Sequence, residues 1–599
     1  MARKKQSLLN GALILTVSMA ITEVLGLLYK IPLTNIIGTV GKAYYSSAYN
    51  LFIPIYSISL AGLPVAISRT VSSYAALGRY RDVRRARLVG QKIFVITGVV
   101  GTVLSLALAY PYAASINRPQ TIWAMLIISP AVFFCCLMSS YRGYFNGLRN
   151  MTPQAVSEVI ESAAKMVLGI LFAQAVKQYG LMRAAQGKSV FGMAVTPDMT
   201  QEDVLLNIYP ISASAAILGV TIGTVLATAY LALLYKKKGD GITVQELRVA
   251  PPPESPKAMT KALLAIALPI VAGTLIFNIT NFIDSWSIQN RLDYAVRGGG
   301  DVIYNMFRSS LDAAGYAGRP EVWPTYLYGA YEIAVDFKNM IPTVTTVLGI
   351  SAIPVLAEAW TLKDEKNIKT SIETVLRMTM LISLPAGLGM AAIAKHILRL
   401  MYYGSASWSS ADISSTVMIG YGATVFIIAV SQPMMNLLQT IGRADIPVKS
   451  IAVGAVLKVV VNFLLVGIPS INIYGAIIGT VICYAVSGVI NFIMLRKYSG
   501  VKISLVSIFL KPLLCAGVTA VSAFFIQKVL AAAMASAGLL TEGGRFNNDT
   551  VAAIAAVACA VVFYVLLLFI TRSIRENDIK MLPKGEKIAK VLAKLKLLR

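Results

Sequence analysis

The sequence predicts an all-α polytopic membrane protein of about fourteen transmembrane helices, arranged as two parallel-repeat six-helix lobes with two further helices at the C-terminal end. Three observations predict it: an apolar composition with little charge, an alternation of basic loops between apolar runs, and an internal repeat. The 599 residues are 56% hydrophobic and 14% charged, with mean hydropathy +0.69. Ordinary soluble domains carry about 25% charged residues. A run of about twenty apolar residues spans the hydrocarbon core as a helix. Only helices and closed barrels satisfy their backbone in lipid, and the runs here are too long for barrel strands.

The apolar runs place helices at 9–36, 45–75, 89–115, 120–148, 154–178, 207–235, 260–289, 326–358, 369–395, 411–440, 447–468, 473–496, 505–533 and 549–572. The first run follows Arg3, Lys4 and Lys5, as a signal peptide would. It is longer than such a segment and lacks a small-residue cleavage site, so it is read as a retained first helix. With the N-terminus cytoplasmic, the inside segments hold about 33 Lys and Arg and the outside segments about 12. Arg79, Arg81, Arg84, Arg85 and Arg87 share one inside loop, and Lys236, Lys237 and Lys238 another. A missed helix would scramble this alternation, so charge supports the count independently of hydropathy. The expected location is a bacterial plasma membrane, with both termini cytoplasmic.

A net charge of +26 would point to nucleic acid in a soluble chain. Here the basic residues lie in short loops between membrane runs, which argues for no nucleic-acid partner. The five cysteines (Cys135, Cys136, Cys483, Cys515 and Cys559) all lie in apolar segments, without metal-ligand or disulfide spacing. They are read as small buried hydrophobes.

The two halves resemble each other. Gly219-Val-Thr-Ile-Gly223-Thr-Val in the sixth helix matches Gly475-Ala-Ile-Ile-Gly479-Thr-Val in the twelfth. The segment ending at Pro64 matches Ser351 to Pro354, and Gly147 to Pro153 followed by Lys165 matches Gly442 to Pro447 followed by Lys458. Six helices return the chain to the side it started from, so the repeats share one orientation. Small residues four apart let helices approach closely. The expected organisation is an N-lobe at 1–240 (helices 1–6), a cytoplasmic linker at 241–259 carrying Pro251, Pro252 and Pro253, a C-lobe at 260–500 (helices 7–12), helices 13 and 14 at 501–573, and a basic cytoplasmic tail at 574–599. Residues 178–206 and 290–325 are expected as longer outside stretches. In the tail, Ile588, Val591, Leu592, Leu595 and Leu598 form one helical stripe, the pattern of an interfacial helix.

Ionisable residues inside a membrane are costly and mark cavities or ion pairs. Glu23 and Lys30 share a face of the first helix; Arg69 lies on the second; Glu158, Glu161 and Lys165 lie on the fifth. The seventh carries Asn278, Asn281 and Asp284, with Arg291 just beyond it. Glu332, Asp336 and Lys338 lie on the eighth, and Lys458 and Asn462 on the eleventh. One reading is a hydrophilic cavity between the lobes. Its bases (Lys30, Arg69, Lys338) hold an anionic head group such as a pyrophosphate, and its acids (Glu23, Asp284, Glu332, Asp336) bind a coupling cation or balance the bases. The other reading is internal ion pairing, which is expected for Glu158, Glu161 and Arg291; Glu161 and Lys165 have the i,i+4 spacing of a pair. For Lys165 and Lys458, at equivalent places in the two halves, a structural role and ligand contact stand equal. Prolines within helices, including Pro32, Pro54, Pro64, Pro130, Pro269, Pro342, Pro354, Pro385 and Pro433, supply kinks.

No phosphate-binding loop is present: Gly187-Lys188-Ser189 ends like one, but Met182 holds the position of its first glycine. The single histidine, His396, cannot build a histidine-rich metal site, and no nucleophile–base arrangement stands out. The pattern is that of a secondary transporter rather than an enzyme, with no cofactor and with coupling by Na+, H+ or the membrane potential.

The stretch Leu25-Gly26-Leu-Leu-Tyr29-Lys30-Ile-Pro32-Leu-Thr-Asn-Ile-Ile-Gly38, then Ala48-Tyr49, then the segment from Pro64 to Ser68-Arg69, resembles the polysaccharide-export branch related to stage V sporulation protein B, in the multidrug/oligosaccharidyl-lipid/polysaccharide (MOP) exporter superfamily. The resemblance implies a V-shaped pair of six-helix lobes with alternating access, and a lipid-linked sugar as cargo, with lipid II leading. Lipid II flippases of Gram-negative type carry an arginine-rich first helix. Here Glu23 and Tyr29 stand where arginines would, which favours the sporulation-protein-like branch and leaves Lys30 and Arg69 as the phosphate contacts. Two extra C-terminal helices in such relatives can form a groove for the lipid tail. The competing readings are a cation-coupled multidrug exporter of the same superfamily and a structural membrane protein that recruits cell-wall synthesis enzymes.

Overall fold

The computed structural model describes residues 8–60, 62–504, 506–538, 546–571, 573–575 and 578, and these are almost wholly helical; one isolated bridge, Val190 to Met193, stands outside the helices. The basic stripe expected at 587–598 lies outside the described residues. Eleven helical stretches among the described residues are long and apolar enough to cross a membrane. Rows of large apolar side chains face outward, among them Ile96, Val100, Val103, Val561, Val562 and Leu566. An aqueous surface seldom carries such rows; lipid accepts them.

The first helix, α1 (Leu8–Leu60), has 53 residues. At about 1.5 Å per residue a straight helix of that length would far exceed a hydrocarbon core of about 30 Å. Gly38, at φ 69° and ψ 176°, breaks it into two arms, so the first two expected spans are joined by a kink rather than by a loop. The second arm stops near Gly62 (φ 80°), and α2 (Leu63–Ala76) starts with Pro64 in its first turn, where a missing N–H costs nothing. A methyl at Gly62 would lie 2.5 Å from the Ala267 carbonyl, so glycine is required there twice over.

The next helices are α3 (Tyr80–Ser115), α4 (Thr121–Gly147), α5 (Thr152–Ala185), α6 (Gln201–Lys238), the short α7 (Val244–Val249) and α8 (Pro256–Ala313). They are followed by α9 (Trp323–Thr361), α10 (Glu365–Tyr402), α11 (Ala411–Thr440), α12 (Asp445–Leu465), α13 (Gly475–Ser499), α14 (Lys511–Ser536) and α15 (Asn548–Ile570). Two compact units result, Met1–Asn290 and Arg291–Arg599, and the division falls within α8. The stretch after residue 290, expected to lie outside the membrane, begins as a continuation of α8, bent at Gly299.

In the first unit the linker is strapped down. Arg84 grips Asp240 with a two-pronged contact (Nε–Oδ2 3.0 Å, Nη2–Oδ1 3.3 Å). Arg81 donates to the Leu247 carbonyl (2.8 Å), and Arg85 to that of Glu254 (2.6 Å). Arg79 pairs with Asp82 and Glu254, and Arg87 lies 3.8 Å over the Tyr235 ring. The five arginines that the sequence offers as a topology signal thus all hold α6 or the linker. Burial pushes the Asp240 carboxyl up, but Arg84, the Ile242 N–H and the Tyr144 hydroxyl outweigh it and hold the group below the usual carboxylate range.

In the second unit α14 and α15 pack on α10, sharing a core that includes Leu376, Leu384, Cys515, Ala516, Tyr564 and Leu568. The Tyr564 hydroxyl donates to the Leu381 carbonyl (2.9 Å). Cys559 is exposed, unlike the other four cysteines.

The repeat is visible within each unit. A methyl at Gly223 of α6 would lie 2.9 Å from the Glu161 carbonyl and 3.3 Å from the Lys165 nitrogen of α5. A methyl at Gly479 of α13 would collide with Asn462 Oδ1 and lie 3.2 Å from the Lys458 carbonyl of α12. Equivalent glycines therefore meet equivalent lysine-bearing turns, the close approach that small residues permit.

Candidate functional site

The polar residues of the first unit separate into structural and candidate groups. Glu161 pairs with Arg142 of α4 (3.0 Å), which also donates to Ser157. Glu158 accepts from Ser18 (2.9 Å) and Gln154 (2.7 Å). Glu161 is thus held in an internal ion pair, with Arg142 rather than with the Lys165 that its i,i+4 spacing suggested, and Glu158 is held by neutral hydrogen bonds. On α8, Asn278 donates to Ser57 (2.7 Å), and Asn50 donates to Ser285 (2.9 Å). Gln289 accepts from both Ser47 and the buried Arg118 (3.0 Å each). The polar stripe of α8 thus seats this part of the helix on α1 and on the α3–α4 turn.

Of the predicted site residues in this unit, Glu23 and Arg69 are exposed, Lys30 is half-buried and Asp284 is buried. Lys30 follows the buried Tyr29 on α1. Lys165 of α5 reaches the same place: its Nζ lies 5.3 Å from the Tyr29 ring centre and 5.0 Å from that of Tyr49. The buried Lys42 lies 5.7 Å over Tyr45. Sequence pattern alone assigns no role to Lys42, Arg118 or Arg142, or to the tyrosines as partners. The i, i+4 spacing of Tyr45 and Tyr49 was the available signal.

In the second unit Glu332, Asp336 and Lys338 are all half-buried on α9. Lys338 Nζ lies 4.9 Å over the Tyr421 ring of α11. The Tyr421 hydroxyl bonds to the Tyr331 hydroxyl (2.8 Å) and to Thr480 of α13 (3.3 Å). Three helices thereby meet around one ammonium group. Arg291 stacks between Tyr294 (4.1 Å) and Phe463 (4.3 Å), a packing role.

The same unit holds an apolar groove of about 540 Å³, lined by α9, α10, α11, α14 and α15. Thr519 and the Tyr564 hydroxyl are its only polar side-chain groups, and it carries no charge. Phe337, one residue before Lys338, lies in its wall.

The lipid II flippase MurJ family profile matches residues 343–543, and the polysaccharide biosynthesis protein profile matches residues 8–196. The lipid II flippase MurJ of Bacillus subtilis (strain 168) is 24% identical over 504 residues, 82% of this chain and 83% of that protein. Stage V sporulation protein B of the same organism is 22% identical over 582 residues, 97% of this chain and 98% of that one. The chain resembles the MOP-superfamily flippases related to lipid II flippases. Its fold is that of the superfamily's solved members. The inward closed conformation of lipid II flippase MurJ matches with TM-score 0.55 at 13% identity, covering 93% of this chain and 98% of that one. An inward-facing MATE family multidrug resistance transporter of the MOP superfamily matches with TM-score 0.57 at 15% identity, covering 79% of this chain and 94% of that one. The chain is thus a multi-pass membrane protein, and its last two helices supply one wall of the groove.

Proposed function

We propose that this chain is an alternating-access flippase that moves an undecaprenyl-diphosphate-linked sugar, lipid II first among the candidates, from the inner to the outer leaflet of a bacterial plasma membrane for cell-wall, spore or polysaccharide biosynthesis. The observation that carries this reading is the uncharged groove between α10 and the α14–α15 pair. Small polar drugs have no use for it, whereas a polyprenyl tail does. Lys30, Arg69 and Lys338 are the head-group contacts in this reading. Glu23, Asp284, Glu332 and Asp336 are the acids that balance them or take a coupling Na+ or H+. Cell-wall synthesis enzymes are candidate partners on either side of the transport step. Multidrug export is not favoured, because the matching family profiles are those of a lipid II flippase and of a polysaccharide biosynthesis protein.

The test is rescue of a bacterium depleted of its own lipid II flippase, with lipid II in the outer leaflet assayed directly. Rescue with restored exposure is the expected result, and Lys30→Ala and Arg69→Ala should then abolish it while leaving the protein in the membrane. Full activity in both variants would remove those two residues from the site. Failure of the unmodified protein to rescue, although present in the membrane, would move the cargo to another undecaprenyl-linked glycan.

A further inference from the structure

The loop between α5 and α6 carries a two-residue hairpin. Val190 and Met193 bond to each other through both N–H groups (2.9 and 3.0 Å), and Phe191 (φ 47°) and Gly192 (φ 92°) form the tip. Two-residue loops with positive φ at both central positions favour Asn-Gly or Asp-Gly. Glycine holds the second position here at no steric cost. The first position holds phenylalanine, a bulky residue for which positive φ is an outlier. Such strain persists only where the surroundings impose it, and it gathers at functional places.

The surroundings do impose it. Beneath the tip Val190, Val204 and Ile208 are buried, with Leu181, Ala184, Met193 and Val195 packed against them. Asn207 Nδ2 donates to the Val190 carbonyl (2.6 Å), and Arg183 Nη2 to that of Ser189 (3.1 Å). Phe191 is not part of this small core. It is 39% exposed and rests on Tyr179 of α5, with ring centres 6.2 Å apart. Tyr179 is itself 50% exposed. The strained position therefore presents an aromatic side chain outward instead of burying one.

That aromatic pair continues an outward apolar row. Val167, Leu171, Ala175, Tyr179 and Met182 of α5 are all exposed, at spacings of three and four that place them on one helix face. At 1.5 Å per residue, Val167 and Tyr179 stand about 18 Å apart, over half of a hydrocarbon core of about 30 Å. Lys177 and Gln178 then end the apolar run, so Tyr179 stands where the span meets the interface. This end of α5 is the one remote from the linker, because α5 starts just after α4, whose Tyr144 hydroxyl donates to Asp240 (3.0 Å). Aromatic side chains concentrate at membrane–water interfaces. Charge does not set the contact: Arg183 and Lys188 in this stretch are balanced by Asp198, Glu202 and Asp203. The continuity of the row points to the bilayer itself as the occupant.

We propose that the hairpin at 190–193 dips into the membrane at the end of α5, with Phe191 seated at the boundary of headgroups and acyl chains beside Tyr179 and Met182. The strain of the turn is kept for this contact, which fixes how deep the end of α5 sits. The anchor is independent of any cargo, so it stands or falls apart from the flippase reading.

The experiment uses the full-length protein in phosphatidylcholine nanodiscs doped with a phosphatidylcholine that carries a photoactivated carbene precursor near the ester end of one acyl chain. Labelled peptides are read by mass spectrometry in wild type, Phe191→Asn and Phe191→Trp. Asparagine suits the turn and carries no apolar side chain; tryptophan keeps the aromatic ring. The hairpin should be labelled in wild type and Phe191→Trp, and about tenfold less in Phe191→Asn, in line with the transfer free energy of one phenylalanine side chain. The Phe191→Asn protein should keep the wild-type thermal midpoint. A lowered midpoint together with an unlabelled wild-type hairpin would show a packing role and overturn the anchor, as would equal labelling of wild type and Phe191→Asn. If Phe191→Asn fails to fold, Phe191→Trp decides: brominated phosphatidylcholine should quench more of its emission than of wild type's, and equal quenching would overturn the anchor.

Discussion

Arg377 of α10 and Asp578, beyond the end of α15, form a two-pronged ion pair sealed from solvent, with Nη2–Oδ1 at 2.6 Å and Nε–Oδ2 at 2.8 Å. Asp578 also accepts from the Arg575 backbone, while Glu373, one turn along α10, takes the Arg575 side chain (3.4 Å) and the Ser504 N–H (3.1 Å). The segments entering α14 and leaving α15 are therefore both tied to the same part of α10, and this fixes the wall of the groove.

Breaking that pair on one side leaves a buried charge alone, which costs about 3–5 kcal/mol. Arg377→Met or Asp578→Leu should each lower the thermal midpoint strongly in detergent. The double variant should recover much of the loss, since two apolar side chains need no partner. Thermal unfolding followed by size-exclusion chromatography reads this directly. Additive losses in the double variant would show that the two residues act independently.

The Arg84–Asp240 contact gives a pH dependence with a defined sign. The folded-state carboxyl is held below its ordinary value, so its contribution is fully present above the ordinary carboxylate pKa of about 3.9 and is lost as pH falls through the lowered folded value. Asp240→Asn should be destabilised by about 1–2 kcal/mol at neutral pH, because Arg84 is partly exposed. The gap between wild type and variant should close below about pH 4. A gap independent of pH would show that the charge of Asp240 is immaterial.

The repeated glycines offer a paired test. Gly223→Ala and Gly479→Ala should each cost about 1–3 kcal/mol by overpacking. Gly26→Ala is the internal control: nothing lies within 4 Å of a methyl there, and alanine is favoured over glycine in a helix by up to about 1 kcal/mol. Thermal midpoints of the three variants should order accordingly.

Filling the groove should stop transport without unfolding the protein. Gly389 lines it and has open space beside it. Gly389→Trp should bring outer-leaflet exposure of lipid II down to background while expression and thermal midpoint hold. A photoreactive polyprenyl diphosphate should label wild type on α10, α14 or α15 and fail to label the variant.

Much of the helical layout was legible because its signals are local. Apolar length sets a span, and the α11 boundaries expected at 411–440 are those observed. The paired Gly-x-x-x-Gly motifs marked real close approaches because they record a steric need of the backbone. The α1 kink was harder to see: Gly38 changes direction without leaving the helical pattern of its neighbours. The arginines at the start of α3 were legible as charge and illegible as contacts, since their partners at 235–254 lie about 160 residues away.

The sequence by itself determined that this chain lives in a membrane, folds as helices and carries a duplicated unit, because hydrophobic length, backbone satisfaction in lipid and small-residue spacing are properties of short segments. Only the tertiary structure decided which charges do what. It gave Glu161 to Arg142 rather than leaving Lys165 as its sole choice, set Lys165 and Lys42 against three tyrosines, and placed Lys338 over Tyr421. The energy of an ionisable group in a membrane protein depends on what surrounds it in three dimensions, and no one-dimensional pattern carries that information.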